Sequence, residues 1–164
     1  MRFVFDVESN GLHGEGFAVG WVLQAGTEIV STGYLRCPIA GPVDPWVTEN
    51  VIPNLESENC VDARHLRGLF WNAWLEAKAL GATTAWADCA FPVETSFLSA
   101  CVGDCPDDRR WEAPYPLHEI ATVFVCHGMS PTDTYDRLEG ETAHHPTGDA
   151  RQSARILSQV LPDC

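Results

Sequence analysis

The chain has 164 residues, 45% of them apolar and 20% charged, which suits one folded domain over residues 1–164 and excludes a disordered or fibrous polymer. Twenty-three acidic residues against ten basic ones leave a formal net charge of −13, which excludes a passive nucleic-acid coat, because that binding rests on Lys and Arg neutralising phosphates. No apolar run approaches the ~20 residues of a membrane span, no signal-peptide pattern opens the chain, and the seven cysteines are odd in number and scattered, so the expectation is a cytoplasmic protein with reduced thiols and no membrane association.

In chain order, FVFDV at 3–7 reads as a strand. GLHGEG is a Gly-rich turn, FAVGWVLQ at 17–24 a second strand, AGTE a hairpin turn, and EIVSTGYL at 28–35 a third strand. Together they predict an antiparallel meander. Residues 37–62 read as irregular, with a short helix near Pro45–Asn50. Leu66, Leu69, Phe70, Ala73, Trp74, Ala77 and Leu80 then recur at helical spacing, and Gly81 stands where a C-cap glycine belongs. TTAWAD at 83–88 has the apolar character of a buried strand, and Pro92 opens a helix running to about residue 102. Residues 103–116 form a loop, LHEIATVFVC at 117–126 fits either helix or strand, 128–146 is a loop, and 149–161 is a helix with Ala150, Ala154, Leu157 and Leu161 on one face. A meander followed by alternating helices and strands predicts an α/β architecture, a mixed sheet covered by helices.

Two carboxylates interrupt the first strand. Residues i and i+2 share a face, so Asp6 and Glu8 project to one side, about 7 Å apart at the usual strand rise. Such a pair repels unless something positive sits between its members. Asp88 closes the TTAWAD strand, where open α/β sheets place ligands, although an Asp there also serves as a helix cap. HHPTGD sets His144, His145 and Asp149 at the start of the last helix. These groups fall at strand ends and helix starts, the placement of a site assembled by folding.

FDVESNGL resembles the first motif of the DEDDh 3′–5′ exonucleases, Asp-x-Glu-(Thr/Ser)-x-Gly-Leu, with Asp6, Glu8, Ser9, Gly11 and Leu12 at the characteristic positions. The last motif of that family, a His with an Asp five residues later and then Ala, is matched by His144, Asp149 and Ala150; His145 has a four-residue spacing. The middle motif departs from the pattern. In WADCAFPVETSFL, Asp88 stands at the strand end, and Glu94 precedes Phe97 and Leu98 with the spacing the family's Asp shows. Asp88 is the preferred ligand, with Glu94 the alternative.

The resemblance spans essentially the whole chain. It implies a ribonuclease H-like fold, a mixed five-stranded sheet with three antiparallel N-terminal strands followed by parallel ones. It also implies hydrolysis of phosphodiesters at the 3′ ends of single-stranded RNA or DNA, RNA slightly favoured, and a possible homodimer. Two divalent cations, Mg²⁺ or Mn²⁺, would be held by Asp6, Glu8, Asp88 and Asp149, hard oxygen ligands for hard ions. His144 would be the general base, since an imidazole titrates near neutrality. Ser9, Asn10, Gly11 and Leu12 would receive the 3′-terminal nucleotide, Leu12 against its base. Two rival expectations are a non-catalytic interaction module of the same fold and a ribonuclease H-like endonuclease. Arg109, Arg110 and Trp111 are either a stacking and phosphate platform for single strands or a loop with an anchoring Trp, and Trp21, Trp71, Trp74 and Trp86 read as core.

Overall fold

A computed structural model describes residues 1–130 and 136–161. Five strands form one mixed sheet in the order β3-β2-β1-β4-β5. The strands β1 (Arg2–Ser9), β2 (Gly16–Ala25) and β3 (Glu28–Arg36) make the expected antiparallel meander. On the other side of β1, β4 (Thr84–Ala87) and β5 (Leu117–Glu119) run parallel to it. Among the described residues six helices accompany them: α1 (Pro45–Asn50, followed by a 3₁₀ turn at Ile52–Asn54), α2 (Ala63–Ala79), α3 (Val93–Asp104), α4 (Pro106–Arg109), α5 (Ile120–Cys126) and α6 (Pro146–Val160). Among the described residues, no helix is long and apolar enough to cross a membrane.

Strand alternation divides the interior in two. Phe3, Phe5 and Val7 point to one face of β1, where they join Phe70, Trp71 and Trp74 of α2 and Phe97 and Leu98 of α3. Val4 points to the other, with Val22, Trp86, Ile120 and Phe124, under Ala150, Ala154 and Leu157 of α6. Asp6 and Glu8 share the parity of Val4, so they lie on the α6 face. The first core is centred on Phe70, whose ring lies 5.4 Å from Phe5 and 5.1 Å from Phe97; such pairs add about 0.5–1.5 kcal/mol each beyond the area they bury.

Local signals set the element ends. Gly81 (φ +102°) donates to the Lys78 carbonyl and Ala82 to that of Ala77, 3.0 and 2.9 Å, the paired bonds of a Schellman stop after α2. Gly26 (φ +59°) takes the first of two loop positions between β2 and β3. The ambiguous stretch 117–126 is divided: Leu117–Glu119 pairs with Ala85–Ala87, and the helix begins at Ile120. The loop expected over 103–116 contains the single turn α4, opened by Pro106. The last helix starts at Pro146, three residues before the expected 149, because the His145 ring accepts from the Gly148 amide (3.3 Å) and caps it. Of the loop expected over 128–146, residues 131–135 lie outside the described residues.

Trp71, Trp74 and Trp86 are buried, and Trp21 packs against the first core. Arg109 is built into the fold: its guanidinium lies 5.1 Å over the Trp71 ring and donates to the Cys101 carbonyl at 2.7 Å. Trp111 is 86% exposed, so it is not a buried anchor of its loop.

Candidate active site

Asp6 and Glu8 project from the end of β1, next to a register shift between Glu8 and Ser9. Bulges of this kind recur beside functional sites, where they re-aim side chains. Asp149 comes from the first turn of α6. It reaches them because of a glycine: Gly20 pairs directly with Asp6 across β1 and β2, and a Cβ on Gly20 would stand 2.1 Å from the Thr147 nitrogen. Only a residue without a side chain lets the start of α6 sit this low on the sheet. Thr147 fastens the contact by donating its hydroxyl to the Gly33 carbonyl, 2.8 Å away.

Oxygen atoms of Asp6, Glu8 and Asp149 lie within 4.8 Å of one another. Burial, then Asp149, then Glu8 push the Asp6 carboxyl well above its usual range. Burial and then Asp149 push Glu8 up to about 7. Asp149 is raised by burial, against the pull of Arg137, whose Nη2 is 2.6 Å from its Oδ1, and of a hydrogen bond from the His144 backbone. Three carboxylates that resist ionising together could hold further positive charge besides Arg137. With oxygen donors only, they fit a hard divalent cation and not a soft one.

Neither candidate for the middle motif joins that trio within the same distance, yet both act on it. Asp88 follows the last residue of β4 and is exposed; its carboxyl is raised by desolvation first, then by Asp149, while Arg137 lowers it. Glu94, on the first turn of α3, is 5% exposed and accepts the Val7 amide at 3.4 Å. Burial pushes it up to about 8, with Asp88 and Glu8 adding to the rise. Both carboxylates press on Asp6, Glu94 the more strongly. Two elements therefore converge on the end of β1 from opposite faces of the sheet, α6 with Asp149 and α3 with Glu94.

The two histidines are placed differently. The His145 ring stacks on Tyr34 (4.9 Å, 19° between planes), caps α6 and stands 3.8 Å from a Glu56 oxygen. His144 has φ +54°, an uncommon backbone conformation for a residue other than glycine. Its ring meets the Trp46 ring edge to face at 5.2 Å. Conformations of this kind persist only where the surroundings enforce them and cluster at functional positions.

The Ser9–Leu12 turn is partly spent on itself. The Ser9 hydroxyl donates to the Gly11 carbonyl at 2.8 Å. The Asn10 side chain donates to the Pro42 carbonyl and accepts the Asp44 amide, 2.9 and 2.8 Å, clamping the segment that leads into α1. Asp44 then caps α1 by accepting the Trp46 amide at 2.8 Å. The clamp brings Trp46, 54% exposed, to a cleft of about 380 Å³ that also takes in Glu8, Gly11 and Leu12, the last 65% exposed. Sequence reasoning missed Trp46 and Arg137. A Trp directly after the helix-opening Pro45 was the available signal for the first; nothing in the sequence ties Arg137 to Asp149.

No protein-family model matches the chain, and no curated protein sequence matches it.

Proposed function

We propose that the chain is a ribonuclease H-like, cation-dependent 3′–5′ exonuclease acting on the ends of single-stranded RNA or DNA, RNA slightly favoured. The observation that carries the reading is the meeting of Asp6 and Glu8 with Asp149, from opposite ends of the chain, within 4.8 Å. These are the two stretches whose motifs resemble the DEDDh family, and the α/β sheet order around them is compatible with that fold.

In this reading Asp6, Glu8 and Asp149 hold the cations, with Asp88 as the fourth carboxylate and Glu94 the alternative. Bound there, divalent cations would neutralise the charge that builds on the phosphoryl group during hydrolysis. His144 takes the proton of the attacking water; the Trp46 ring at its side holds the imidazole in place. The strand's terminal base enters the cleft between Leu12 and Trp46, where an apolar face and an aromatic face suit any base. Asn10 acts at one remove, since its clamp on Pro42 and Asp44 sets the position of α1 and thus of Trp46.

The test is a 5′-labelled single-stranded RNA and its DNA counterpart, incubated with Mn²⁺ or Mg²⁺ and with EDTA as control. The expected result is a cation-dependent ladder that shortens from the 3′ end and spares circular substrates. Cleavage of circles would point to an endonuclease. Absence of cation-dependent cleavage on every substrate, with no Mn²⁺ binding, would leave a non-catalytic module.

A further inference from the structure

Arg137 is the one Arg or Lys among the described residues that forms an ion pair with the carboxylate trio, through Nη2 and Asp149 Oδ1 at 2.6 Å. Its other terminal nitrogen, Nη1, donates to the Glu141 carbonyl at 3.1 Å. Glu141 is itself fixed. Its buried carboxylate accepts Arg155 Nε and Nη2 at 2.7 and 2.8 Å, and the Leu138 amide at 2.9 Å. The segment bearing Arg137 is thus tied to α6, the helix that also carries Asp149. The Arg137 side chain remains 34% exposed, so solvent and ligands reach it.

We propose that Arg137 is a phosphate ligand for the substrate strand, held on Asp149 until a cation takes its place. The inference rests on the exonuclease reading of the site. A divalent cation on Asp149 would weaken its hold on the guanidinium, because both draw on the charge of one carboxylate. When a cation enters the trio, Arg137 is released within reach of whatever the cation holds. A guanidinium has five N–H donors, of which the contacts above use two, and its planar fork matches the non-bridging oxygens of a phosphate. A protein with a net charge of −13 gains little from long-range attraction of a polyanion, so phosphate binding depends on a local cation such as this one.

Calorimetry separates this role from a purely structural one. The probes are Mn²⁺ alone, then a nucleoside 5′-monophosphate and the matching nucleoside, each in saturating Mn²⁺. Arg137→Ala is expected to bind Mn²⁺ at least as tightly as wild type, because a competitor has been removed. It is expected to bind the monophosphate at least about tenfold more weakly, the usual cost of losing a hydrogen bond to a charged group, and the nucleoside equally well. Arg137→Lys, which keeps the charge without the fork, falls between. Loss of Mn²⁺ affinity in Arg137→Ala would mean that Arg137 merely props Asp149, and unchanged monophosphate affinity would mean that it does not touch phosphate; either overturns the inference. A wild-type chain that binds neither Mn²⁺ nor monophosphate overturns the exonuclease reading, and this role with it.

Discussion

Replacing Gly20 by Ala tests how the site is assembled. The added Cβ would stand 2.1 Å from the Thr147 nitrogen, 2.4 Å from the Pro146 carbonyl carbon and 2.6 Å from the Thr147 Cα. All three are backbone atoms at the start of α6, so no side chain can swing aside. Ordinary contact begins at 3.4 Å, and 3.4 − 2.1 puts the required retreat of the helix at about 1.3 Å. That displacement breaks the 2.8 Å bond from Thr147 to the Gly33 carbonyl and carries Asp149, two residues along the same turn, away from Asp6 and Glu8. Overpacking of this kind costs about 1–3 kcal/mol, or a fall in Tm of about 2–12 °C for a chain of this size. Metal ligands tolerate only a few tenths of an ångström, so Mn²⁺ affinity measured by calorimetry should fall by at least about tenfold. The control is Gly68→Ala, within α2, where an added Cβ meets nothing within 4 Å; it should raise stability by about 0.5–1 kcal/mol and leave Mn²⁺ binding alone. If Gly20→Ala melts with wild type and binds Mn²⁺ equally well, the close approach of α6 to β2 is not what assembles the trio.

In the cation-free protein, Glu8 keeps its proton up to about pH 7, against 4.5 for an ordinary Glu. Between those values the folded chain binds a proton that the unfolded chain has lost, so stability falls as pH rises and the deficit is complete above pH 7. The difference is worth about 3 kcal/mol at most; Glu8→Gln in EDTA should melt above wild type at pH 8 and level with it at pH 4.5, and an equal Tm at pH 8 would refute the crowding of charge. Asp88→Asn, and not Glu94→Gln, is expected to lower Mn²⁺ affinity about tenfold or more; the opposite result transfers the ligand role to Glu94. His145→Ala should lose about 1 kcal/mol with its helix cap while cleaving nearly as wild type does, and His144→Ala should keep its Tm and lose cleavage. Reversal of that pair would move the general base to His145.

Where an element depends on its own residues and their immediate neighbours, it was readable in advance. The meander, α2 and its Gly81 stop, the short helix at Pro45 and the parallel pairing of the later strands all came from periodicity, from turn chemistry and, for strand direction, from a resemblance of motifs. Where a partner element decides, it was not. LHEIATVFVC carries both patterns, and it is the short β4 that takes three of its residues into the sheet and leaves the rest to α5. The early start of α6 depends on a side-chain cap from His145, which its sequence spacing to Asp149 does not announce.

The candidate site divides along the same line. By itself the sequence determined that Asp6 and Glu8 share a face, that Asp88 closes a strand and that His144 and Asp149 stand near a helix start, because backbone geometry is set within a few residues. Only the tertiary structure decided that α6 descends onto Gly20 to bring Asp149 to Asp6, that Glu94 crowds the trio from the other face, that Asn10 is spent clamping α1, and that Arg137 holds the counter-charge. Each of these depends on distances between groups far apart in the chain. Such distances are set by the packing of whole elements and leave no periodic trace in the sequence.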